Sequence, residues 1–300
     1  MVSENQSMLT AGAMVAVVEQ LFADAKLHYG HGTSNARDEA AALVFHVLGL
    51  DHGAAPANYV EPVSDQQRIE VLELSERRMQ ERIPLPYLLG QAWFAGMTFV
   101  VDGRVLIPRS PIAELIEARF EPWLKADRVR SIVEIGTGSA CIAISCARAF
   151  PEARVVATDI SAAALTVARI NVAKHGAEGQ VQLLETDHLD GIQGTYDLII
   201  ANPPYVPREE MAALAAEYRH EPELGLVSGA DGLDSARRIL QDASGLLDAD
   251  GLLVLEVGAQ WHALEEAFPE LAFTWPEFEH GGIGVALVHA ADLHGLAGCD

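Results

Sequence analysis

The chain has 300 residues, of which 50% are hydrophobic, 6% aromatic and 21% charged. This length predicts about two domains, and the composition excludes a disordered, collagen-like or coiled-coil protein. Acidic residues outnumber basic ones by 43 to 20, which gives a net charge of −23. Bare nucleic acid and anionic lipid repel such a chain, because both need Lys and Arg to neutralise phosphate. We therefore expect no direct nucleic-acid or membrane partner, whereas a basic protein partner is favoured.

The cysteine and histidine pattern bears on compartment and metal binding. The 3 cysteines form no Cys-x-x-Cys pair and the 11 histidines show no metal-ligand spacing. The sequence contains no run of 18 apolar residues, so no membrane span is predicted. We expect a reduced, cytoplasmic protein without a metal site.

The first part of the chain is predicted to be helical. Apolar positions recur with helical spacing over 8–29, 35–50 and 65–82. The prolines Pro84 and Pro86 end this pattern, because each lacks an N–H donor and biases its predecessor towards extended geometry. These features predict a small helical domain at 1–85.

A linker is predicted at 86–110. Short apolar and aromatic runs lie on both sides of Asp102-Gly103, a dipeptide typical of hairpin turns. We therefore predict a β-hairpin at about 90–108.

The rest of the chain, 111–300, alternates between short apolar runs and amphipathic stretches. Candidate strands lie at 131–135, 153–158, 180–184, 196–201, 251–257, 271–275 and 284–289. Candidate helices lie at 139–149, 161–175, 232–247 and 259–268. This alternation predicts an α/β domain with a mostly parallel, seven-stranded sheet covered on both faces.

A glycine-containing turn follows the first of these strands. Gly136, Thr137, Gly138 and Ser139 lie between the strand and a helix, where backbone N–H groups and the helix dipole favour a ligand. The turn lacks the third glycine of a dinucleotide fingerprint and the lysine of a P-loop, so its ligand need not carry a pyrophosphate. A tight turn without a ligand is the alternative.

Acidic residues occupy the ends of three predicted strands. They are Glu134, Asp159 and Asp187. Asp159 suits the two hydroxyls of a ribose, and Asp187 can accept a hydrogen bond from the exocyclic amine of a base. Each aspartate can alternatively cap the helix or loop that follows it, with Ser161 an equal candidate for the cap after Asp159. Together the carboxylates favour a nucleoside without phosphates, and S-adenosylmethionine is such a ligand.

The fourth predicted strand runs into Asn202, Pro203, Pro204 and Tyr205. The two prolines make the backbone rigid, and the Asn202 side chain and the Pro203 carbonyl are available acceptors. Two fixed acceptors can grip both hydrogens of a planar NH2 group and orient its nitrogen lone pair towards an electrophile. Tyr205 offers a flat face for stacking. This element predicts methyl transfer to an amide or amino nitrogen.

Taken in order, these motifs resemble those of class I S-adenosylmethionine-dependent amino-methyltransferases, which have a Rossmann-like fold. The Asn-Pro-Pro-Tyr element occurs in both the N6-adenine and the N5-glutamine enzymes. The segments 94–99 and 106–109 look like the FxGxxF and LIPR signatures of the N5-glutamine group. That resemblance implies a helical domain that presents a protein substrate. It also implies that Phe94 and Phe99 contact the cofactor or the glutamine, and the alternative is that both are core residues of the hairpin. The same resemblance implies that Arg109 anchors the hairpin or the cofactor pocket.

Two branches of the group differ in their substrate. The segments 93–96, 108–112 and 217–226 look like the branch that methylates large-subunit ribosomal protein L-three. The other branch methylates the GGQ motif of peptide-chain release factors and remains the alternative. Remoter alternatives are an adenine methyltransferase, which needs a basic groove, and a non-catalytic assembly factor.

One residue departs from the family pattern. Ala140 stands where the family's GTGSG turn has its last glycine. We expect Ala140 to begin the next helix, where alanine is acceptable, with its methyl group close to the methionine part of the cofactor.

Overall fold

The computed structural model describes residues 9–50 and 55–293, which divide into two units. Unit 1 contains the chain as far as Gln91 together with the segment Ala215–His220, and unit 2 contains Ala92–Leu214 and the residues from Glu221 onward. Within the described residues, no helix is both long and apolar enough to cross a membrane.

Unit 1 is helical. Its helices are α1 (Ala11–Asp24), α2 (Ala36–Leu48), α3 (Ala55–Asn58), α4 (Asp65–Glu81) and α5 (Leu85–Leu89).

Side chains just before three of these helices explain where the helices begin. The Thr10 hydroxyl accepts the Ala13 N–H at α1, and the Asn35 side chain accepts the Asp38 N–H at α2. Ser64 forms a capping box with Gln67 at α4. Each cap satisfies an N–H that has no partner inside its helix.

The apolar faces of α1, α2 and α4 pack together. The fully buried members of this core are Ala11, Val18, Phe22, Ala40, Leu43, Val44 and Val71. The helical spacing of these positions in the sequence is the reason they share one core.

A hairpin is present, but its turn is not the expected one. Strands β1 (Gln91–Phe94) and β2 (Met97–Val100) pair through Ala95 and Gly96, whose φ angles are 44° and 71°. Two positive φ angles match the right-handed twist of paired strands. The prediction that Asp102-Gly103 forms the hairpin turn is therefore wrong. Asp102 instead starts a separate turn, in which its carbonyl accepts the Val105 N–H.

Unit 2 contains the remaining helices and the main sheet. Its helices are α6 (Ile112–Glu117), α7 (Cys141–Ala149), α8 (Ala162–Lys174), α9 (Asp234–Ala243), α10 (Trp261–Ala267) and α11 (Ala290–Leu293). Its strands are β3 (Ser131–Ile135), β4 (Arg154–Asp159), β5 (Val181–Glu185), β6 (Tyr196–Ala201), β7 (Leu247–Glu256) and β8 (Val285–His289).

The sheet formed by the described residues has six strands in the order β5-β4-β3-β6-β7-β8. All neighbours are parallel except β7 and β8, which are antiparallel. The strand order reverses between β3 and β6, and crevices at such points are where open α/β sheets bind ligands. The α/β class and the mostly parallel sheet are confirmed.

The seventh expected strand, 271–275, is not part of the sheet. Only Thr274 pairs with β8, through two backbone hydrogen bonds to Leu287 of 2.9 and 3.0 Å. Pro276 follows directly and has no N–H with which to extend a ladder. This segment therefore contributes a single bridge to the edge of the sheet.

The residues of the central strands β3 and β6 alternate between two buried faces. Ile132 and Leu198 belong to the core that includes α7, whereas Val133 and Ile199 belong to the core that includes α9. This alternation, with both faces buried, explains why the strands read as continuous apolar runs.

A candidate active site at the carboxyl ends of the strands

A cavity of about 270 Å³ in unit 2 lies where the strands of the sheet end. Five stretches of chain supply most of its lining, namely 104–110, 134–139, 159–161, 186–188 and 202–204. The structure thus brings together Glu134, the glycine turn, Asp159, Asp187 and the Asn-Pro-Pro segment, as the sequence predicted.

The glycine turn leaves β3 in a left-handed conformation. Gly136 and Gly138 have φ angles of 70° and 53°, and a Cβ added to either would meet no atom within 4 Å. Side chains here would be strained and would extend into open space beside the cavity. The two glycines therefore leave the backbone open to a ligand.

Glu134 stabilises this turn through hydrogen bonds to the turn and to the helix that follows it. One carboxylate oxygen accepts the Thr137 hydroxyl at 2.5 Å and the Ala143 N–H at 2.9 Å. The residue before helix α7 makes no side-chain capping hydrogen bond. Glu134 caps the helix instead, by accepting the Ala143 N–H in its first turn. Burial raises the pKa of Glu134 to about 8, and the nearby Asp159 adds to this effect, against the two hydrogen bonds.

Ala140 differs from the expectation. It lies before the first residue of α7 with a φ of 64°, a conformation that disfavours a Cβ. Its side chain is fully buried in the core and is not among the cavity-lining residues. The expectation that Ala140 begins the helix is therefore wrong. The closeness of its methyl group to the cofactor stays a prediction, which the buried position of the side chain does not favour.

Asp159 joins two elements of the site. Its carboxylate accepts the Gly138 N–H and the Ser161 N–H, each at 2.8 Å. Ser161, and not Asp159, caps α8, because its hydroxyl accepts the Ala164 N–H. Burial raises the pKa of Asp159 above its ordinary value despite the two N–H donors. The carboxylate is held rigidly at the cavity, and each oxygen retains lone pairs for a further donor.

Asp187 is held by ion pairs. His188 Nδ1 and Arg238 Nη1 each lie 2.6 Å from its carboxylate. Burial acts to raise the pKa of Asp187, but the hydrogen bonds and charges of His188 and Arg238 outweigh it and lower the pKa. Sequence reasoning missed Arg238, because it lies 51 positions from Asp187 and nothing local in its helix specifies that partner.

The end of β6 carries a buried acceptor. Asn202 Oδ1 is buried at the cavity and has no hydrogen-bond partner among the described residues. A buried amide oxygen without a partner costs free energy. Such an atom marks the place where a donor from a ligand is expected.

The aromatic candidates lie outside the cavity lining. Phe94 and Phe99 are 5% and 0% exposed and pack edge to face, with 6.4 Å between ring centroids. Tyr205 is half-buried with its ring against Gly258, where an added Cβ would lie 2.7 Å from Tyr205 Cε2. Their contacts with substrate stay predictions.

Arg109 closes one wall of the cavity. Its Nη1 atom lies 2.8 Å from Glu221 Oε1, and Glu221 also accepts the Ile107 N–H. The Glu221 side chain is fully buried. The resemblance left the role of Arg109 open between the hairpin and the cofactor pocket, and Glu221 was predicted only as part of a branch motif. In the structure the pair ties the 104–110 stretch to the chain beyond the Asn-Pro-Pro-Tyr element.

Two cysteines lie in the core. Cys141 and Cys146 are free and buried. Burial is the main cause that raises the pKa of Cys141 to about 12. Burial also raises the pKa of Cys146 well above its ordinary value. Both thiols therefore stay protonated and unreactive at neutral pH.

Two family descriptions match the sequence. Residues 120–218 match the Methyltransferase small domain, and residues 25–90 match the PrmC N-terminal domain. Among solved structures, the hMettl16 catalytic domain in complex with MAT2A 3'UTR hairpin 6 superposes with a TM-score of 0.52 at 16% identity, over 75% of this chain and 80% of that one. This likeness concerns the fold alone.

Curated relatives match over nearly the whole length. The ribosomal protein uL3 glutamine methyltransferase of Neisseria gonorrhoeae is 43% identical over 97% of this chain and 97% of its own length. The protein of the same name from Xanthomonas campestris pv. campestris is 46% identical over 91% of this chain and 88% of its own length. The chain therefore belongs to the ribosomal protein uL3 glutamine methyltransferase family.

Proposed function

We propose that this chain transfers a methyl group from S-adenosylmethionine to the side-chain amide nitrogen (N5) of a glutamine in uL3, the L-three protein of the large ribosomal subunit. The observation that carries the proposal is the buried, unpartnered Oδ1 of Asn202 beside the glycine turn. An acceptor at this place suits the NH2 group of a glutamine side chain. The high identity to relatives of that name supports the choice of substrate protein.

The cavity suits the proposed cofactor. S-adenosylmethionine, when bound, supplies an electrophilic methyl group. The open backbone of Gly136 and Gly138 suits its methionine part, and Asp159 suits the ribose hydroxyls. The cavity arginines Arg104 and Arg109 pair with Asp102 and Glu221, which favours a ligand without phosphates. Asp187 stays the proposed acceptor for the adenine amine.

The Asn-Pro-Pro segment would bind the substrate amide. Asn202 Oδ1 and the Pro203 carbonyl each accept one amide hydrogen, which turns the nitrogen lone pair towards the methyl donor. The same two acceptors stabilise the positive charge that develops on the nitrogen during transfer. After transfer the nitrogen is acidic and loses a proton to water, so the chain need not supply a strong base.

The proposed partners follow from the substrate. A ribosomal protein is basic, which agrees with a net charge of −23 on this chain. The proposal includes no direct contact with nucleic acid, and it places the reaction in the cytoplasm. Release factors remain the alternative protein substrate.

The test uses the purified chain with labelled S-adenosylmethionine and, separately, purified uL3 and release factors. We expect label on a uL3 glutamine, located by mass spectrometry, and none on the GGQ glutamine. The N202A variant should lose at least about a hundredfold in kcat, because a misplaced reacting group costs about this factor, while calorimetry finds its cofactor affinity within about twofold of wild type, a difference below about 0.5 kcal/mol. Label on release factors alone would contradict the proposed substrate, and full turnover by N202A would contradict the proposed site.

A further inference from the structure

Glu256 is a buried carboxylate at the end of β7, and nothing in the proposed chemistry uses it. The register pairs Ala201 of β6 with Leu255 of β7. One step further along the two strands lie Asn202 and Glu256. The Glu256 residue is only 5% exposed, so its carboxylate has to be satisfied by groups of the chain.

Two hydroxyl groups satisfy it. Ser110 Oγ donates to Oε2 at 2.5 Å and Tyr205 Oη donates to Oε1 at 3.3 Å. Ser110 Oγ also accepts the Ile112 N–H at 3.1 Å, which leaves its O–H available to donate to Glu256. Ser110 belongs to the 104–110 wall of the cavity, and Tyr205 directly follows the Asn-Pro-Pro wall. Glu256 is therefore bonded to both walls.

The Tyr205 ring has little freedom beside this hydrogen bond. A Cβ on Gly258 would lie 2.7 Å from Tyr205 Cε2, and a Cβ on Gly232 would lie 2.3 Å from the Tyr205 carbonyl oxygen. The ring and backbone of Tyr205 are thus enclosed at places where only glycine fits. The hydrogen bond to Glu256 fixes the end of the ring that these contacts leave open.

We propose that Glu256 is a positioning residue for methyl transfer, which sets the Asn-Pro-Pro wall against the 104–110 wall through its bonds to Tyr205 and Ser110. The inference rests on the proposed function. It adds a residue that acts on the substrate amide indirectly, through the residues to which it is hydrogen-bonded. Small displacements of a reacting group cost large factors in rate, so the effect is expected in kcat and not in cofactor affinity.

The ionisation of Glu256 gives a readout that a purely structural role would lack. Burial raises its pKa to about 7, against the hydrogen bonds from Ser110 and Tyr205 and the charge of Arg109. Arg109 is itself paired with Glu221, and Tyr205 is the other titratable group in contact. Ionised Glu256 accepts both hydroxyl hydrogens, whereas the protonated form has one acceptor fewer. The kcat of the wild type should therefore fall below about pH 7.

The first experiment compares E256Q with wild type. Glutamine offers one acceptor oxygen, so only one of the two hydroxyls can still donate to it, and the other hydroxyl has to turn to accept from the NH2 group. We expect kcat to fall about tenfold or more, the fall in kcat below pH 7 to disappear, and the cofactor dissociation constant to stay within about twofold. The matched control is E266Q, which makes the same change at an exposed position of α10. Wild-type kcat and an unchanged pH profile in E256Q would overturn the proposal.

Y205F supplies a second variant in case E256Q folds poorly, since it removes only a hydroxyl. It should lower kcat in the same way, and the double variant E256Q/Y205F should be no slower than the slower single variant, because the two residues act as a unit. Independent, multiplying effects would contradict the proposal.

Hydrogen exchange separates this inference from the proposed function. Peptides that contain Val206 and Ile112 should exchange faster in E256Q, because their N–H groups bond to Leu226 and to Ser110 beside the two walls. If these peptides exchange faster in E256Q but the wild-type chain does not methylate uL3, the positioning role is right and the proposed substrate is wrong. Unchanged exchange in E256Q would contradict the positioning role.

Discussion

Arg78 and Glu217 lie 139 positions apart and form a buried ion pair, with 3.2 Å between Nη1 and Oε1. Their side chains are 1% and 2% exposed. Arg78 Nε also lies 2.6 Å from Glu39 Oε1, and Arg78 Nη2 donates to the His28 carbonyl. Arg78 is thus the centre of a buried cluster that ties the Ala215–His220 segment to the helices of unit 1.

Replacing Arg78 should destabilise the chain strongly. The R78M variant removes the cation beside the buried Glu39 carboxylate. It leaves Glu217 to the partly exposed Arg82, whose Nη1 lies 3.5 Å from Oε1 of Glu217. Breaking a buried pair in this way costs about 3–5 kcal/mol. The neighbouring Arg77 gives a matched control, because its side chain is 51% exposed and, among the described residues, its ion pair is with Glu81 of the same helix. R77M should change the free energy of unfolding by less than about 0.5 kcal/mol. Urea unfolding of the full chain measures both, and equal midpoints for the two variants would refute the assigned role of Arg78.

Glu134 should make the unliganded protein less stable as pH rises. Its pKa is about 8 in the folded chain and about 4.3 in an unfolded one. Between these values the folded state binds a proton that the unfolded state does not, so stability falls as pH rises through this window and levels off above about pH 8. E134Q keeps an oxygen that can accept from Thr137 and Ala143 and should reduce this slope.

The measurement is the unfolding midpoint of wild type and E134Q between pH 5 and pH 9. Glu256 titrates in the same window, with a pKa of about 7, so part of the slope should remain in E134Q and shrink further in E134Q/E256Q. The raised pKa of Asp159 adds a contribution of the same sign that neither variant removes. A slope of equal size in wild type and in the double variant would show that these buried carboxyls are not its source.

Gly138 and Ala140 share a left-handed backbone, with φ angles of 53° and 64°, but they should respond differently to substitution. G138A adds a strained Cβ that extends into open space beside the cavity, so cofactor affinity should fall about tenfold, equivalent to about 1.4 kcal/mol. A140G relieves backbone strain of about 1–2 kcal/mol, which stabilises the folded state. The loss of a buried methyl group destabilises it by about 0.8 kcal/mol. The greater freedom of glycine in the unfolded state destabilises it further, by about 0.4–1 kcal/mol. The stability of A140G should therefore stay within about 1 kcal/mol of wild type, with unchanged affinity.

Calorimetric titration with S-adenosylmethionine and thermal unfolding of both variants test this pair. Weaker cofactor binding in A140G than in G138A would contradict the placement of Gly138 at the cavity and of Ala140 in the core.

Sequence patterns predicted the parts of the site that depend on strand order. Glu134, Asp159 and Asn202 follow apolar runs, and the carboxyl ends of parallel strands meet at one edge of a sheet. The pairing of Arg78 with Glu217 could not be predicted, because nothing local in either segment specifies a partner 139 residues away. Glu256 had the same signal as Glu134, an acid at the end of a buried run, but only the register of β6 and β7 puts it beside Asn202.

Turn geometry was the harder part of the fold to predict. Asp-Gly is a frequent hairpin dipeptide, yet the strands pair through Ala95-Gly96. Here the aromatic residues Phe94 and Phe99, one on each strand of the hairpin, are buried in the core of unit 2. Tertiary packing therefore selects a turn with a positive φ at an alanine over a dipeptide with better intrinsic propensity.

The net charge of −23 should speed the encounter with a basic protein substrate. Electrostatic steering acts on association and is screened beyond about 8 Å at physiological ionic strength. We therefore expect kcat/KM for uL3 to fall about tenfold between 50 mM and 500 mM salt, while kcat changes little, because the chemical step occurs after association. The control is a short uncharged peptide that contains the target glutamine. The electrostatic field of the chain does not attract this peptide, so its kcat/KM should not change with salt. A salt-independent kcat/KM for intact uL3 would mean that the charge serves solubility and not substrate capture.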